Sequence, residues 1–207
     1  MNTVEDLADS ANYALSQAGL PTHPLERYYR FVGNGMVRLI ERASGWTEGS
    51  GGFQRLFDIF MNYYHQHSTD KTYAYAGAAE MLQGLAKENI GCAVLSNKTD
   101  QFVRELMDRF FPQIRFLAVQ GKRDSFPTKP NPASLNHMRV SLGYTQDACM
   151  YIGDSDVDVL TAHNGKLLCI GAEWGFRGRD ELLQAGADYL AAQPVDVLRI
   201  VADINQK

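Results

Sequence analysis

Along the first seventy or so residues, apolar side chains recur at three-to-four spacing. Leu7, Ala11, Ala14, Leu15 and Ala18 set the pattern, which predicts helix and no strand in this stretch. Gly19 and Pro21 end that helix; further helices are predicted over roughly 36–43 and, rich in aromatics, 53–67, with the Gly-rich turn 49–52 between them. After Tyr73-Ala74-Tyr75-Ala76-Gly77 the pattern changes to short apolar runs alternating with helical stretches. Strands are predicted at 91–95, 116–120, 149–152 and 167–170, and helices at about 78–88, 101–110, 132–142, 156–164 and 180–185. Such alternation is the signature of a parallel sheet with crossover helices. The expected organisation is therefore a small helical domain over residues 1–76 and an α/β domain over 77–207.

A chain of 207 residues, 45% of them hydrophobic, is long enough for one full core plus a modest insert. A net charge of -4 leaves no basic stripe for a nucleic acid or an acidic membrane, so a small diffusible ligand is the expected partner. Cys92, Cys149 and Cys169 are odd in number, lack metal-ligand spacing and sit in apolar stretches, which points to free thiols and a reducing cytoplasm. The first residues include Glu5, Asp6 and Asp9 where a targeting segment would be basic and then apolar, and no apolar run nears the roughly 20 residues that span a bilayer.

In open α/β sheets ligands bind beyond the carboxyl ends of the strands, so the polar residues that end each strand carry the candidate chemistry. After Ala93-Val94-Leu95 come Ser96, Asn97 and Lys98; the Ser96 hydroxyl is set to donate to a phosphoryl oxygen, although Ser-Asn is also ordinary turn chemistry. In Thr128-Lys129-Pro130-Asn131-Pro132, Asn131 reads as an N-cap and Pro132 as a first helical residue. A residue before proline is pushed to extended angles, which holds Lys129 outside the helix with its ammonium available to phosphate; the bland alternative is a solvated loop lysine. Tyr151-Ile152-Gly153-Asp154-Ser155-Asp156-Val157-Asp158 runs an apolar strand straight into carboxylates at a helix start. Asp154 and Asp158, four apart, would face one region if the helix begins near Asp156, and hard carboxylate oxygens suit Mg²⁺; helix capping is the competing reading. His23, His65, His67, His137 and His163 show no metal spacing.

In order and content, Ser96-Asn97, Lys129 before proline, and Gly153-Asp154-Ser155 with Asp158 resemble the second, third and fourth motifs of the haloacid dehalogenase-like hydrolases. Gly19-Leu20-Pro21, Phe31-Val32-Gly33-Asn34-Gly35, Trp174-Gly175-Phe176-Arg177 and Ala185-Gly186-Ala187-Asp188 are similar to segments of the phosphoglycolate phosphatases, so the resemblance covers nearly the whole chain. It implies a helical cap over a Rossmann-like core and Mg²⁺-dependent hydrolysis of a small phosphorylated metabolite through an aspartyl-phosphate. Ser96 and Asn97 would then serve the phosphoryl group, Lys129 would neutralise it, Asp154 and Asp158 would hold Mg²⁺, and Gly33, Asn34 and Gly35 would face the substrate. Arg30 or Arg177 is a candidate for a substrate carboxylate, with a surface arginine as the default.

That family's first motif is a strand ending in Asp-x-Asp-Gly-Thr, which supplies the nucleophile and the acid/base. This sequence has no such segment, and Met1-Asn2-Thr3 resembles the residues that follow it. The expectation is an N-terminal truncation, a sheet without its first strand and little or no phosphatase activity. Asp124, Asp156 and Asp188 are poor substitutes, since none follows an apolar strand in an Asp-x-Asp arrangement. The alternatives are a non-catalytic phosphate- and Mg²⁺-binding or dimerising protein and, among enzymes, a pyrophosphatase, sugar-phosphate phosphatase or phosphomutase. The sequence leaves monomer and homodimer both open.

Overall fold

The apolar stripe of the first helix, α1 (Val4–Gln17), is also its buried face: the computed structural model, which describes residues 1–206, hides Val4, Ala11, Ala14 and Leu15 completely from solvent. Three more helices follow, α2 (Leu25–Phe31), α3 (Met36–Ser44) and α4 (Phe53–His67), and α1 packs on all three. Leu39, Ile40, Leu56, Phe60 and Tyr64 fill the space between them. Burial of each such side chain stabilises by about 1.5–3 kcal/mol.

Helix α2, which the apolar spacing does not predict, is only seven residues long and is held by tertiary contacts. The Asn12 side chain donates to the His23 carbonyl at 2.9 Å and accepts from the His23 N–H at 2.9 Å and the Tyr28 hydroxyl at 2.7 Å. At the end of this unit, buried Asp6 accepts from the N–H groups of Lys71 and Thr72 at 2.9 and 2.8 Å. Asn2 and Tyr73 pair as an isolated antiparallel bridge. Residues Met1–Tyr73 form one compact unit and the chain from Ala74 onward a second.

The second unit runs α5 (Ala78–Lys87), β1 (Ala93–Thr99), α6 (Asp100–Phe110), β2 (Ala118–Lys122), α7 (Ala133–Ser141), β3 (Met150–Gly153), α8 (Asp156–Asn164), β4 (Leu168–Ala172), α9 (Gly178–Ala185), β5 (Tyr189–Ala191) and α10 (Asp196–Asn205). All strand pairings are parallel, as predicted, but they form two sheets, β1-β2 and β3-β4-β5. Among the described residues no ladder joins β1 to β3, so each presents one edge that no strand pairs. Side chains alternate across β4: Cys169 lies in a core with Leu135, Tyr151, Val159 and Leu182, and Ile170 in another with Met81, Leu85, Val197 and Ile200. The three cysteines are free thiols.

The predicted strands end too early. The first runs on through Ser96, Asn97 and Lys98 to Thr99, whose pairing with Lys122 resumes the ladder after an irregularity. The apolar runs miss the polar continuations of these strands, where Asn97 and Gln120 are buried. The spacing does not predict strand β5 or helix α10; β5 is three residues long and gains its order from pairing with β4. Helix α7 starts at Ala133, one residue later than expected, with the Asn131 side chain accepting from the Ala133 N–H at 2.9 Å. No described helix is long and apolar enough to cross a membrane.

Candidate active site

At the carboxyl end of β1 the Asn97 side chain forms a two-point clamp on the loop that carries Lys129. Its Oδ1 accepts from the Lys129 N–H at 2.8 Å and its Nδ2 donates to the Lys129 carbonyl at 3.2 Å. Asn97 is buried, and both ends of its amide hold the Lys129 backbone. Ser96 lines the same cleft as Asn97 and Lys129, and its Oγ accepts from the Lys98 N–H at 3.1 Å. The Lys129–Pro130 peptide is cis.

Lys129 is no solvated lysine: its side chain is 12% exposed and its Nζ donates to Asp158 Oδ1 at 2.6 Å and to the Tyr151 hydroxyl at 3.2 Å. Burial alone would pull the ammonium down. The Asp158 carboxylate and Tyr151 beside it outweigh that and hold it above the ordinary lysine range. For Asp158 burial pushes up, but Lys129 and the Ser155 hydroxyl at 2.8 Å leave its carboxyl below the usual carboxylate range. Helix α8 begins at Asp156, so Asp158 turns back towards the strand end, where its Oδ2 also accepts from the Asp154 N–H at 3.2 Å. A side chain at Gly153 would overlap Asp158, so this turn requires glycine for its close approach.

Asp154 is held from the other side by the loop after β4. Its Oδ2 accepts from the Phe176 N–H at 3.2 Å, and a Cβ at Gly175 would overlap the carboxylate. Burial, and then the charge of Asp158, push the Asp154 carboxyl up to about 6. The structure thus brings Ser96, Asn97, Lys129, Asp154 and Asp158 to the strand ends of one unit. Tyr151, Gly175 and Phe176 belong to the same network without having been singled out for it. The one hint for Tyr151 is a polar-tipped residue in an otherwise apolar strand, two before Gly153 and so on the same face.

Gly33, Asn34 and Gly35 lie in the helical unit, between α2 and α3, where Arg42 donates to Asn34 Oδ1 at 2.7 Å and to the Phe31 carbonyl at 2.9 Å. Arg177 pairs with Glu181 at 3.3 Å. Asp188 accepts from the Cys169 N–H at 2.8 Å and contacts His163 at 3.1 Å. Among the described residues no three His, Cys, Asp or Glu side chains gather as a metal cluster.

Two carboxylates side by side, one of them pushed up to about 6, are a charge arrangement that a divalent cation relieves, and their hard oxygens match Mg²⁺. The donor set therefore fits such an ion, with Asp154 the freer of the two. The raised carboxyl also gives a pH dependence. The folded chain holds this proton more tightly than the unfolded one, so its contribution falls as pH rises from about 4 to 6, by on the order of 2–3 kcal/mol. Without metal, Asp154→Asn is expected to be more stable than the parent at pH 7. The Tm difference, followed from pH 4 to 7 in chelator, should open as pH rises; a constant difference would show that Asp154 is not desolvated.

A model of the haloacid dehalogenase-like hydrolase family matches residues 1–172, and the chain belongs to that family. Its relatives narrow the likeness. A phosphoglycolate phosphatase of Psychrobacter arcticus is 31% identical over 192 residues, covering 89% of this chain and 83% of that protein. One from Mannheimia succiniciproducens is 27% identical over 97% of this chain and 93% of its own length. A solved structure from Haemophilus somnus, described as a predicted phosphoglycolate phosphatase, shares the fold with a TM-score of 0.87 at 24% identity, over 97% of this chain and 92% of that one.

Proposed function

We propose that this site binds the phosphoryl group of a small phosphate monoester together with Mg²⁺, and that the monoester is 2-phosphoglycolate. The observation that carries the reading is the Lys129 ammonium, locked by Asp158 and by the Asn97 clamp beside Ser96 at the end of β1. Lys129 neutralises phosphoryl charge and the Ser96 hydroxyl donates to a phosphoryl oxygen. Asp154 would hold Mg²⁺ with Asp158 supporting it, and the ion when bound supplies further charge stabilisation to the phosphoryl oxygens. The substrate assignment follows the names of the relatives, and Gly33, Asn34 and Gly35 are proposed to face the substrate. A reducing cytoplasm and a monomer or homodimer accord with this reading.

Hydrolysis through an aspartyl-phosphate needs a carboxylate free to attack phosphorus. Asp158 is taken by Lys129 and Ser155, and Asp154 by the Phe176 N–H and the proposed metal, so neither is set for that role. Residues 1–206 therefore carry the binding half of the reaction, and we propose little turnover from them alone. The same commitment of both carboxylates favours a second reading, a phosphate- and Mg²⁺-binding protein without catalysis.

The test is thermal unfolding with Mg²⁺ and 2-phosphoglycolate together. A ligand at about 100 times its Kd stabilises by about 2.7 kcal/mol, or roughly 5–10 °C for a chain of this size. That shift should require both components and vanish in Asp154→Asn. No shift, or an equal shift in the variant, would sink the reading.

A further inference from the structure

The cleft that holds Ser96 and Lys129 continues to the carboxyl end of β2, where two more cations line it. It is a shallow, solvent-open cleft, and Lys122, Arg123 and Phe126 line it beside Ser96 and Lys129. This end is built in a defined place. The Gly121 N–H donates to Asp100 Oδ1 at 2.7 Å, and a side chain at Gly121 would overlap the Lys98 carbonyl and Asp100, so the end of β2 is locked against the end of β1. Asp100 also takes Arg104 Nε at 2.9 Å and Arg123 Nε at 3.5 Å, which anchors the Arg123 guanidinium by one edge. The Lys122 side chain has no hydrogen bond or ion pair among the described residues.

One carboxylate shared between two arginines, plus an unpaired lysine, leaves this end of the cleft cationic. The phosphoryl end is different, because Asp158 offsets part of the Lys129 charge there. A phosphoryl dianion on Ser96 and Lys129 leaves the charge at the β2 end unanswered, while a ligand with a second anionic group answers both.

We infer that Lys122 and Arg123 form a second anion subsite, which receives the carboxylate of a short phosphorylated acid while its phosphoryl group lies on Ser96 and Lys129. The inference rests on the phosphoryl assignment proposed above and adds the residues that select the acid. Guanidinium and ammonium groups bind carboxylate by charge-assisted hydrogen bonds, and Phe126 limits water on one side.

The test is calorimetric titration of the full Mg²⁺-loaded chain with inorganic phosphate and, separately, with 2-phosphoglycolate. The parent should prefer 2-phosphoglycolate by about tenfold, the worth of a net charge-assisted contact. Lys122→Met/Arg123→Met should bring that preference within about twofold while phosphate affinity stays the same. Lys122→Arg/Arg123→Lys should keep most of it, and Lys87→Met, which removes an exposed cation outside the cleft, should keep all of it. A preference that survives the double Met variant overturns the subsite. An equal weakening of both ligands also does so, since a general field would then explain the effect. If the parent binds neither ligand, the phosphoryl assignment itself fails and the subsite falls with it. Binding of phosphate without any preference removes the subsite alone.

Discussion

Phosphate release from 2-phosphoglycolate in Mg²⁺ is expected to rise by roughly 10³-fold or more when this chain is extended at its N-terminus by an apolar strand ending in Asp-x-Asp-Gly-Thr. The size follows from what such a strand would add, since loss of a covalent nucleophile commonly removes most of a rate enhancement, while binding and charge stabilisation survive. Residues 1–206 hold the groups proposed to serve a nucleophile: a fixed ammonium at Lys129, the Ser96 hydroxyl, and Asp154 as the proposed seat for the ion. Strands β1 and β3 each present an edge that no described strand pairs, so an added parallel strand meets ladder groups. The extended and unextended chains should be assayed side by side, with Asn replacing the first aspartate of the added strand as the control. Equal activity in both chains, lost in each on Asp154→Ala, would show that an attacking group has been overlooked; inactivity in both would favour a binding role.

Replacing Lys129 by Met is expected to destabilise the fold by about 3–5 kcal/mol. Removal of the ammonium strands a charge, and that weighs more than the missing hydrogen bond: Asp158, 7% exposed, would remain in place without its partner. The sign agrees with the titration of the pair. Asp158 lies below the usual carboxylate range and Lys129 above the usual lysine range, so the pair contributes from roughly pH 4 to 10 and fades beyond either end. A second substitution, Asp158→Leu, should restore most of the stability, because two apolar side chains of similar volume often replace a buried pair at little cost. Urea midpoints of the parent, the single variants and the double variant measure this cycle. A single variant within about 1 kcal/mol of the parent would mean that water reaches Asp158 more freely than the geometry allows.

Much of the architecture was legible from spacing. Helices first, and then short parallel strands alternating with helices, were expected from spacing and are the order that the chain holds. The exceptions share a cause. Helix α2 and strand β5 are seven and three residues long, too short for their own periodicity to speak, and they exist through the Asn12 contacts and pairing with β4 respectively. Local signals cannot report order that distant residues impose.

The sequence by itself determined the class of fold, the parallel pairing of its strands, and a candidate set of polar residues: Ser96, Asn97, Lys129, Asp154 and Asp158. Those features follow from residue type and short-range periodicity, which the chain carries in its order. Tertiary structure decided what each residue does there. It turned Lys129 from a loop cation into half of a buried pair, made Asn97 a clamp, and set Gly175 and Phe176 against Asp154 from the loop after the neighbouring strand β4. Partners 22 to 34 positions apart in the chain meet only when strands pair and helices close over them. Charge, burial and hydrogen bonding at a site are properties of that meeting, so no stretch of sequence holds them alone.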